Sequence, residues 1–217
     1  MTTFNIIANA KPLTSALIHQ IKFLKNKVAL DGIAADCVAQ GIVPNFVCGD
    51  FDSVEEKTLE KLRTLNCIVK HYPDQNYSDL DKGVFWCDEM GASSIHIFNA
   101  LGGLRPDHTF FNYRILKRHY KPSRMLVLEE PATTLYYITD QTVSLEGQIG
   151  DLASLLAYPE CTVSSTGLRY NMQDYPLIFS KTESSSNELA LSTSHIVVKG
   201  DALLIVAKNV MVTISGS

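Results

Sequence analysis

Pro44-Asn45-Phe46-Val47-Cys48-Gly49-Asp50-Phe51-Asp52-Ser53 is an apolar run that stops at a glycine and two carboxylates. Its first part, Asn45–Cys48, has the composition of a buried strand. In an extended chain alternate side chains point the same way. Asp50 and Asp52 are therefore expected on one side of a strand end. Paired carboxylates there suit a hard divalent cation such as Mg²⁺, which takes oxygen ligands and commonly shares them with substrate phosphates. The same residues also read as an Asp- and Ser-rich turn capping a helix that begins near Val54. The stretch alone leaves both readings open.

Outward from it, strand-like and helix-like segments alternate. Phe4–Asn9 reads as strand and 14–26 as helix; Val28–Leu30 is strand and Ile33–Gln40 helix. After the quoted strand, Glu55–Leu65 is helical, Cys67–His71 strand and Leu80–Met90 helix, with Leu80, Val84, Cys87 and Met90 on the expected buried face. Ile95–Phe98, His108–His119 and Met125–Leu128 repeat the pattern. Such alternation implies a mostly parallel, Rossmann-like sheet with helices on both faces. Ligands of these sheets bind beyond the carboxyl ends of the strands. Asp31, the Asp50/Asp52 pair, Asp74–Asp79, and Arg105 with Asp107 and His108 each follow a different strand. Their convergence on one sheet edge favours a site.

Beyond Pro131 the texture changes. Short β-prone segments (142–145, 153–157, 162–164, 195–199, 202–207, 210–214) are separated by Gly, Ser, Asn and Asp. This predicts an α/β domain over 1–131 and an all-β sandwich over 132–217.

Composition narrows the classes. The 217 residues carry a formal charge of −4 and no basic stripe, which argues against nucleic-acid binding. The five cysteines are scattered and never spaced C-x-x-C, the pattern of reduced thiols in a cytoplasmic protein. The N-terminus lacks a signal-peptide pattern, and no run approaches the roughly 20 apolar residues that span a bilayer.

Asp74-Gln75-Asn76-Tyr77-Ser78-Asp79-Leu80-Asp81-Lys82 leads into a helix for which Ser78 or Asp79 is the natural N-cap. Asp79 and Lys82 lie three apart, so they share a face and could hold a metal and a phosphate together. From the local sequence alone, a plain cap with a solvated ion pair is the favoured reading. Gly102-Gly103-Leu104-Arg105-Pro106-Asp107-His108 is a glycine-rich loop that enters a helix, with Arg105 as a planar fork for phosphate. Neither a Walker A loop nor G-x-G-x-x-G is present. Farther on, Gly167-Leu168-Arg169-Tyr170 and Ser186-Asn187 could stack on and hydrogen-bond a flat heterocycle, or form an ordinary hairpin and turn.

Taken in order, these motifs resemble the thiamine pyrophosphokinase family. Gly49-Asp50-Phe51-Asp52-Ser53 matches that family's Gly-Asp-Phe-Asp-Ser unchanged, and Asp31-Gly32 is similar to the start of its Asp-Gly-Gly-Ala. Residues 74–79 with Lys82 resemble its Asp-(Lys/Gln)-Asp-Phe-Thr-Asp-x-x-Lys, and residues 105–108 its Arg-x-Asp-His. Gly167-Leu168-Arg169-Tyr170 and Ser186-Asn187 resemble its Gly-Leu-x-(Tyr/Trp) and Ser-Asn. Ile33 and Leu104 stand where the family usually has glycine, Asn76 replaces an acid and Ser78 a threonine.

The resemblance implies ATP-dependent transfer of pyrophosphate to the hydroxyl of thiamine, in a homodimer with thiamine near the subunit interface. It implies Mg²⁺ on Asp50, Asp52 and Asp79, with Asp31 nearby, and phosphate neutralised by Arg105 and Lys82. Gln75, Ser78 and His108 would line the nucleotide site, and Asp50 or Asp107 would handle the hydroxyl proton. Tyr170, Ser186 and Asn187 would hold thiamine. A pyrophosphokinase for another hydroxymethyl heterocycle, such as a pterin, and a non-catalytic thiamine or nucleotide sensor are the alternatives.

Overall fold

A computed structural model describes residues 2–52 and 54–216, which divide into two compact units, one ending at Glu129 and the next starting at Glu130. Ser53, the last residue of the opening motif, lies outside the described residues.

The first unit alternates strand and helix: β1 Thr3–Ile7, α1 Ser15–Lys22, β2 Lys27–Leu30, α2 Asp31–Ala39, β3 Phe46–Gly49, α3 Glu56–Thr64, β4 Ile68–His71, α4 Asp79–Glu89, β5 Ser94–Phe98, α5 Pro106–Arg118 and β6 Met125–Glu129. The strands lie side by side in the order β4-β3-β2-β1-β5-β6, every neighbouring pair parallel. The interior strands are apolar on both faces, as burial beneath two helix layers requires. One core joins Ile7, Ala29, Val47 and Phe98 of the sheet to Leu17 and Ile21 of α1, Ile33 and Cys37 of α2, and Leu59 and Leu62 of α3. The chain runs outward from β1 to β4, then returns to β5 beside β1. This reversal opens a crevice at the carboxyl ends of the central strands.

Helix ends deviate from expectation where local chemistry decides. α3 starts at Glu56 with Glu55 as N-cap and no side-chain cap bond, later than the start near Val54. α4 ends at Glu89, and Gly91 in the left-handed region (φ +72°) turns the chain away; Met90 is thereby exposed rather than on the buried face.

The second unit is antiparallel: β7 Thr133–Glu146, β8 Ala153–Thr166, β9 Tyr175–Ile178, β10 Thr193–Ala207 and β11 Met211–Gly216. β10 lies between β7 and β8, β9 pairs with β8, and β11 pairs with β7. The strands are longer than the short segments expected. Gly200-Asp201 reads as a turn but is a bulge within β10, and Pro159 falls inside β8. Bulges add a residue and bend a strand without ending it. Alternate residues of these long strands, among them Leu155, Ala157, Val163, Ile196, Val198 and Leu204, fill one apolar core.

Candidate active site

At the carboxyl edge of the parallel sheet lies a cavity of about 610 Å³, all within the first unit. It is lined by Asn9 after β1, Asp31 and Gly32 after β2, Asp50 and Asp52 after β3, residues 75–80 and Lys82 around the start of α4, and His108, Phe111 and Asn112 of α5. Residues that the sequence separates by up to 103 positions are thus gathered at the ends of five neighbouring strands.

The turn after β3 is not an extended strand end. Phe51 sits in the left-handed region (φ 60°), which breaks the alternation expected for Asp50 and Asp52. Two hydrogen bonds hold this turn. Phe51 N–H donates to Asp31 Oδ2 (3.1 Å), and Asp52 N–H to Asp50 Oδ1 (3.4 Å). The Phe51 side chain packs on the core and stacks against His71, so the ring anchors the strained residue. Gly49 precedes it for a steric reason: a Cβ there would lie 2.5 Å from Cγ of Asp31.

The outcome is a group of three carboxylates, Asp31, Asp50 and Asp79, whose oxygens lie within 4.8 Å of one another. Asp52 lines the same cavity outside this group. Lys82, only 2% exposed, sits among the carboxylates, with Nζ 3.0 Å from Asp50 Oδ2 and 3.1 Å from Asp79 Oδ1. Gln75 Nε2 donates to the same Asp50 oxygen at 2.9 Å. The group thus takes one member from each of three loops, and the Asp79/Lys82 pair, with Lys82 buried and Asp79 partly open to water, is a cross-linked part of it.

Electrostatics separates the members. Burial, then the charge of Asp79, raises Asp31 to about 6, against the pull of the Gly32 and Phe51 amides. Asp50 is held well below the usual carboxylate range, chiefly by its hydrogen bond from Lys82. Burial works against charge on Lys82, but the bonds to Asp50 and Asp79 outweigh it and keep the ammonium protonated. An all-oxygen set with one buried cation already in place is what a cation-bridged polyphosphate would meet.

α4 begins where the sequence suggested. Ser78 is the N-cap of a complete capping box: its Oγ accepts from Asp81 N–H and donates to Asp81 Oδ2, which also accepts Ser78 N–H. Ser78 lines the cavity with its hydroxyl committed to that cap.

An adjoining cavity of about 480 Å³ is formed by Asn9, Lys11, Asp36, the Gly102–Arg105 loop and His108. Gly103 packs directly on the preceding loop, since a Cβ there would lie 1.9 Å from the Ala10 carbonyl oxygen. Arg105 forms a bidentate pair with Asp107 (2.9 and 2.5 Å) at the surface, which lowers Asp107 to about 2. Of the two positions where the family usually has glycine, Ile33 is buried in the core and Leu104 is fully exposed.

In the second unit, the loops at 167–171 and 184–190 are zipped together. Arg169 N–H donates to Glu188 O, Ala190 N–H to Gly167 O, and Arg169 pairs with Glu188 at 2.6 Å. Asn187 is buried and uses its whole amide here: Oδ1 accepts from Tyr170 and Glu188 N–H, while Nδ2 donates to Tyr170 O and Ser184 Oγ. Ser186 has φ 56° and donates its N–H to Ser154 Oγ. The product is a rigid ledge from which the Tyr170 ring projects, 62% exposed. The structure thus brings Tyr170, Ser186 and Asn187 together.

Comparison with known proteins agrees with both halves. Residues 19–128 match the family described as thiamin pyrophosphokinase, catalytic domain, and residues 140–205 match thiamin pyrophosphokinase, vitamin B1 binding domain. Thiamin pyrophosphokinase 1 of Caenorhabditis elegans is 34% identical over 199 residues, covering 83% of this chain and 77% of its own. The crystal structure of thiamine pyrophosphokinase from Bacillus subtilis superimposes with a TM-score of 0.81 at 21% identity, over 95% of this chain and 99% of that one. The enzyme from Candida albicans gives 0.77 at 18% identity, over 94% and 89%. With its fold, its ordered motifs and both of its halves matched, the chain belongs to the thiamine pyrophosphokinase family.

Proposed function

We propose that this chain makes thiamine diphosphate by moving pyrophosphate from ATP to the thiamine hydroxyl, with the carboxylate-lined cavity as the polyphosphate site. The observation that carries this reading is the group of Asp31, Asp50 and Asp79 around buried Lys82. Its all-oxygen donors fit Mg²⁺, held by Asp50 and Asp79 with Asp31 beside them and Asp52 from the rim of the cavity. When bound, the ion would neutralise charge on the polyphosphate oxygens.

The thiamine hydroxyl oxygen attacks the β-phosphorus and releases its proton to solvent, the bond from the β-phosphorus to the bridging α-phosphate oxygen breaks, and AMP leaves with the electron pair. Catalysis of this kind is mostly positioning and charge neutralisation. Lys82 supplies a fixed ammonium at the cluster. Arg105 can exchange the carboxylate of Asp107 for phosphate oxygens, because their pair is exposed. Asp50 and Asp107 are each held ionised by a cation and are therefore weak bases; they orient groups and carry little of the proton transfer. Gln75 and His108 line the nucleotide end, while Ser78 sets the start of α4. Tyr170 stacks on the thiamine, Ser186 offers its hydroxyl, and Asn187 acts through the Tyr170 backbone it holds. A homodimer and a cytoplasmic setting complete the proposal; the five free, buried cysteines suit a reducing compartment.

An assay of AMP release tests the reaction. Thiamine with Mg·ATP is expected to give equal amounts of AMP and thiamine diphosphate, and Tyr170→Ala to raise KM for thiamine without changing KM for ATP. Turnover of a hydroxymethylpterin in place of thiamine would make the substrate reading wrong. A thermal shift with thiamine in the absence of Mg²⁺, and no product, would indicate a sensor.

The raised Asp31 makes a pH prediction. A carboxyl whose folded pKa exceeds its unfolded value stabilises the fold at low pH, and that contribution is lost as pH rises from about 4 through about 6. Asp50 has the opposite sign, and its window lies below about 4. Mg²⁺ binding to the ionised group offsets the loss. The rise in Tm on adding Mg²⁺ is therefore expected to be small at pH 5.5 and clearly larger at pH 7.5. Equal shifts at both pH values would remove Asp31 from the cation site.

A further inference from the structure

Asp79, Leu80 and Lys82 line the cavity, whereas Asp81 between them does not and is wholly buried. A capping-box carboxylate needs no such burial, which costs several kcal/mol of solvation unless partners replace the water. Here a second helix supplies those partners. Besides the two bonds from Ser78, Asp81 Oδ1 accepts from His119 Nε2 at 2.7 Å, and Arg118 Nη1 lies 3.4 Å away. Arg118 is the last residue of α5 and His119 its C-cap. His119 is itself held: its ring packs edge-on against Phe85 of α4 at 5.2 Å, and its carbonyl accepts from Arg124, which also pairs with Asp88 of α4. The end of α5 is therefore tied to α4 at both Asp81 and Asp88.

This matters because the first turn of α4 presents Asp79 and Lys82 to Asp50, and a small rotation of the turn would break the 3.0 Å contact of Lys82 with Asp50 and shift Asp79 away from it. Buried, fully satisfied polar networks hold one geometry where an apolar contact would allow several. Building on the site reading above, we propose that Asp81 and His119 are positioning residues for pyrophosphoryl transfer, setting the rotation of the first turn of α4 and hence the placing of Asp79 and Lys82. The same α5 contributes His108 and Asn112 to the cavity from its other end, so it frames both sides of the site.

His119→Phe keeps a ring against Phe85 and deletes the donor to Asp81, and His119→Gln restores a donor. The phenylalanine variant is expected to lower kcat about 10- to 100-fold, as loss of an outer support for metal-binding groups does. Mn²⁺ binding to the complex with a non-hydrolysable ATP analogue, read by electron paramagnetic resonance without turnover, is expected to weaken by a similar factor. KM for thiamine stays within about twofold, since no thiamine contact is removed. The glutamine variant recovers most of both losses. A folded His119→Phe with wild-type kcat and Mn²⁺ affinity would overturn the proposal and leave Asp81 and His119 as a structural pair. If that variant does not fold, Arg118→Leu, at a side chain 32% exposed, reads the same two quantities, and wild-type values there also overturn it. Asp79→Asn separates the two levels. Full activity in that variant would sink the site reading itself; its inactivity beside wild-type clamp variants sinks the clamp alone.

Discussion

Asp50→Asn is expected to lower kcat by about 10³-fold or more, the scale set by losing a preorganised charge at a transferring group. The substitution keeps shape and size, so the fold should persist. What changes is the acceptor count. Asp50 Oδ2 takes both Lys82 Nζ and Gln75 Nε2, and Oδ1 takes the Asp52 amide. An asparagine has one acceptor oxygen, so its amino group must face either the Lys82 and Gln75 donors or the Asp52 N–H. The cation site loses a charge, and Lys82 loses its shorter ion pair. Steady-state AMP release with varied Mg²⁺ checks this. A fall in kcat of less than tenfold, with normal Mg²⁺ dependence, would exclude Asp50 from the reacting centre.

Lys82→Met should act on both stability and activity. Removing one partner of a buried ion pair typically costs about 3–5 kcal/mol, because a charge is left behind in a poor solvent. Asp79 is partly open to water and can rehydrate, so a loss of about 3 kcal/mol at pH 7 is expected here. The three carboxylates would then repel one another without an ammonium between them. Urea denaturation should show the deficit shrinking toward pH 5 as carboxylates take up protons, and shrinking again when Mg²⁺ is added. Turnover should fall about 10²- to 10³-fold, since Mg²⁺ replaces the charge but not the fixed donor. Equal destabilisation at pH 5 and pH 7 would show that Lys82 contributes packing rather than charge.

Much of this architecture was legible in local sequence. The parallel sheet follows from alternating apolar and helical runs, and the placing of Asp31, Asp50 and Asp79 at strand ends follows from where those runs stop. Ser78 is readable as a cap because a small hydroxyl stands three residues before an acid. The motif order across both halves carried the family. Other features had no local signal. Gly200-Asp201 has turn composition, yet pairing on both sides of β10 carries the strand through it as a bulge. β9 carries Pro176, which by local rules suggests a break, and only pairing with the neighbouring β8 makes it a strand. Asp81 and His119 are 38 residues apart with no motif joining them; only the packing of α5 on α4 makes them partners.

The opening stretch shows the division most clearly. Sequence by itself determined that a buried strand ends at Gly49 and that carboxylates follow, because hydrophobic burial and the turn chemistry of glycine and aspartate act locally. Tertiary structure alone decided which carboxylates meet. Phe51 takes a left-handed conformation that local propensity disfavours, held by its ring on the core and by the Asp31 carboxylate accepting its amide. That bend draws Asp31 and Asp50 together with Asp79 and leaves Asp52 at the cavity wall outside the group. Contacts from three separate loops outweigh one unfavourable backbone angle, and such a sum is not written in any five residues.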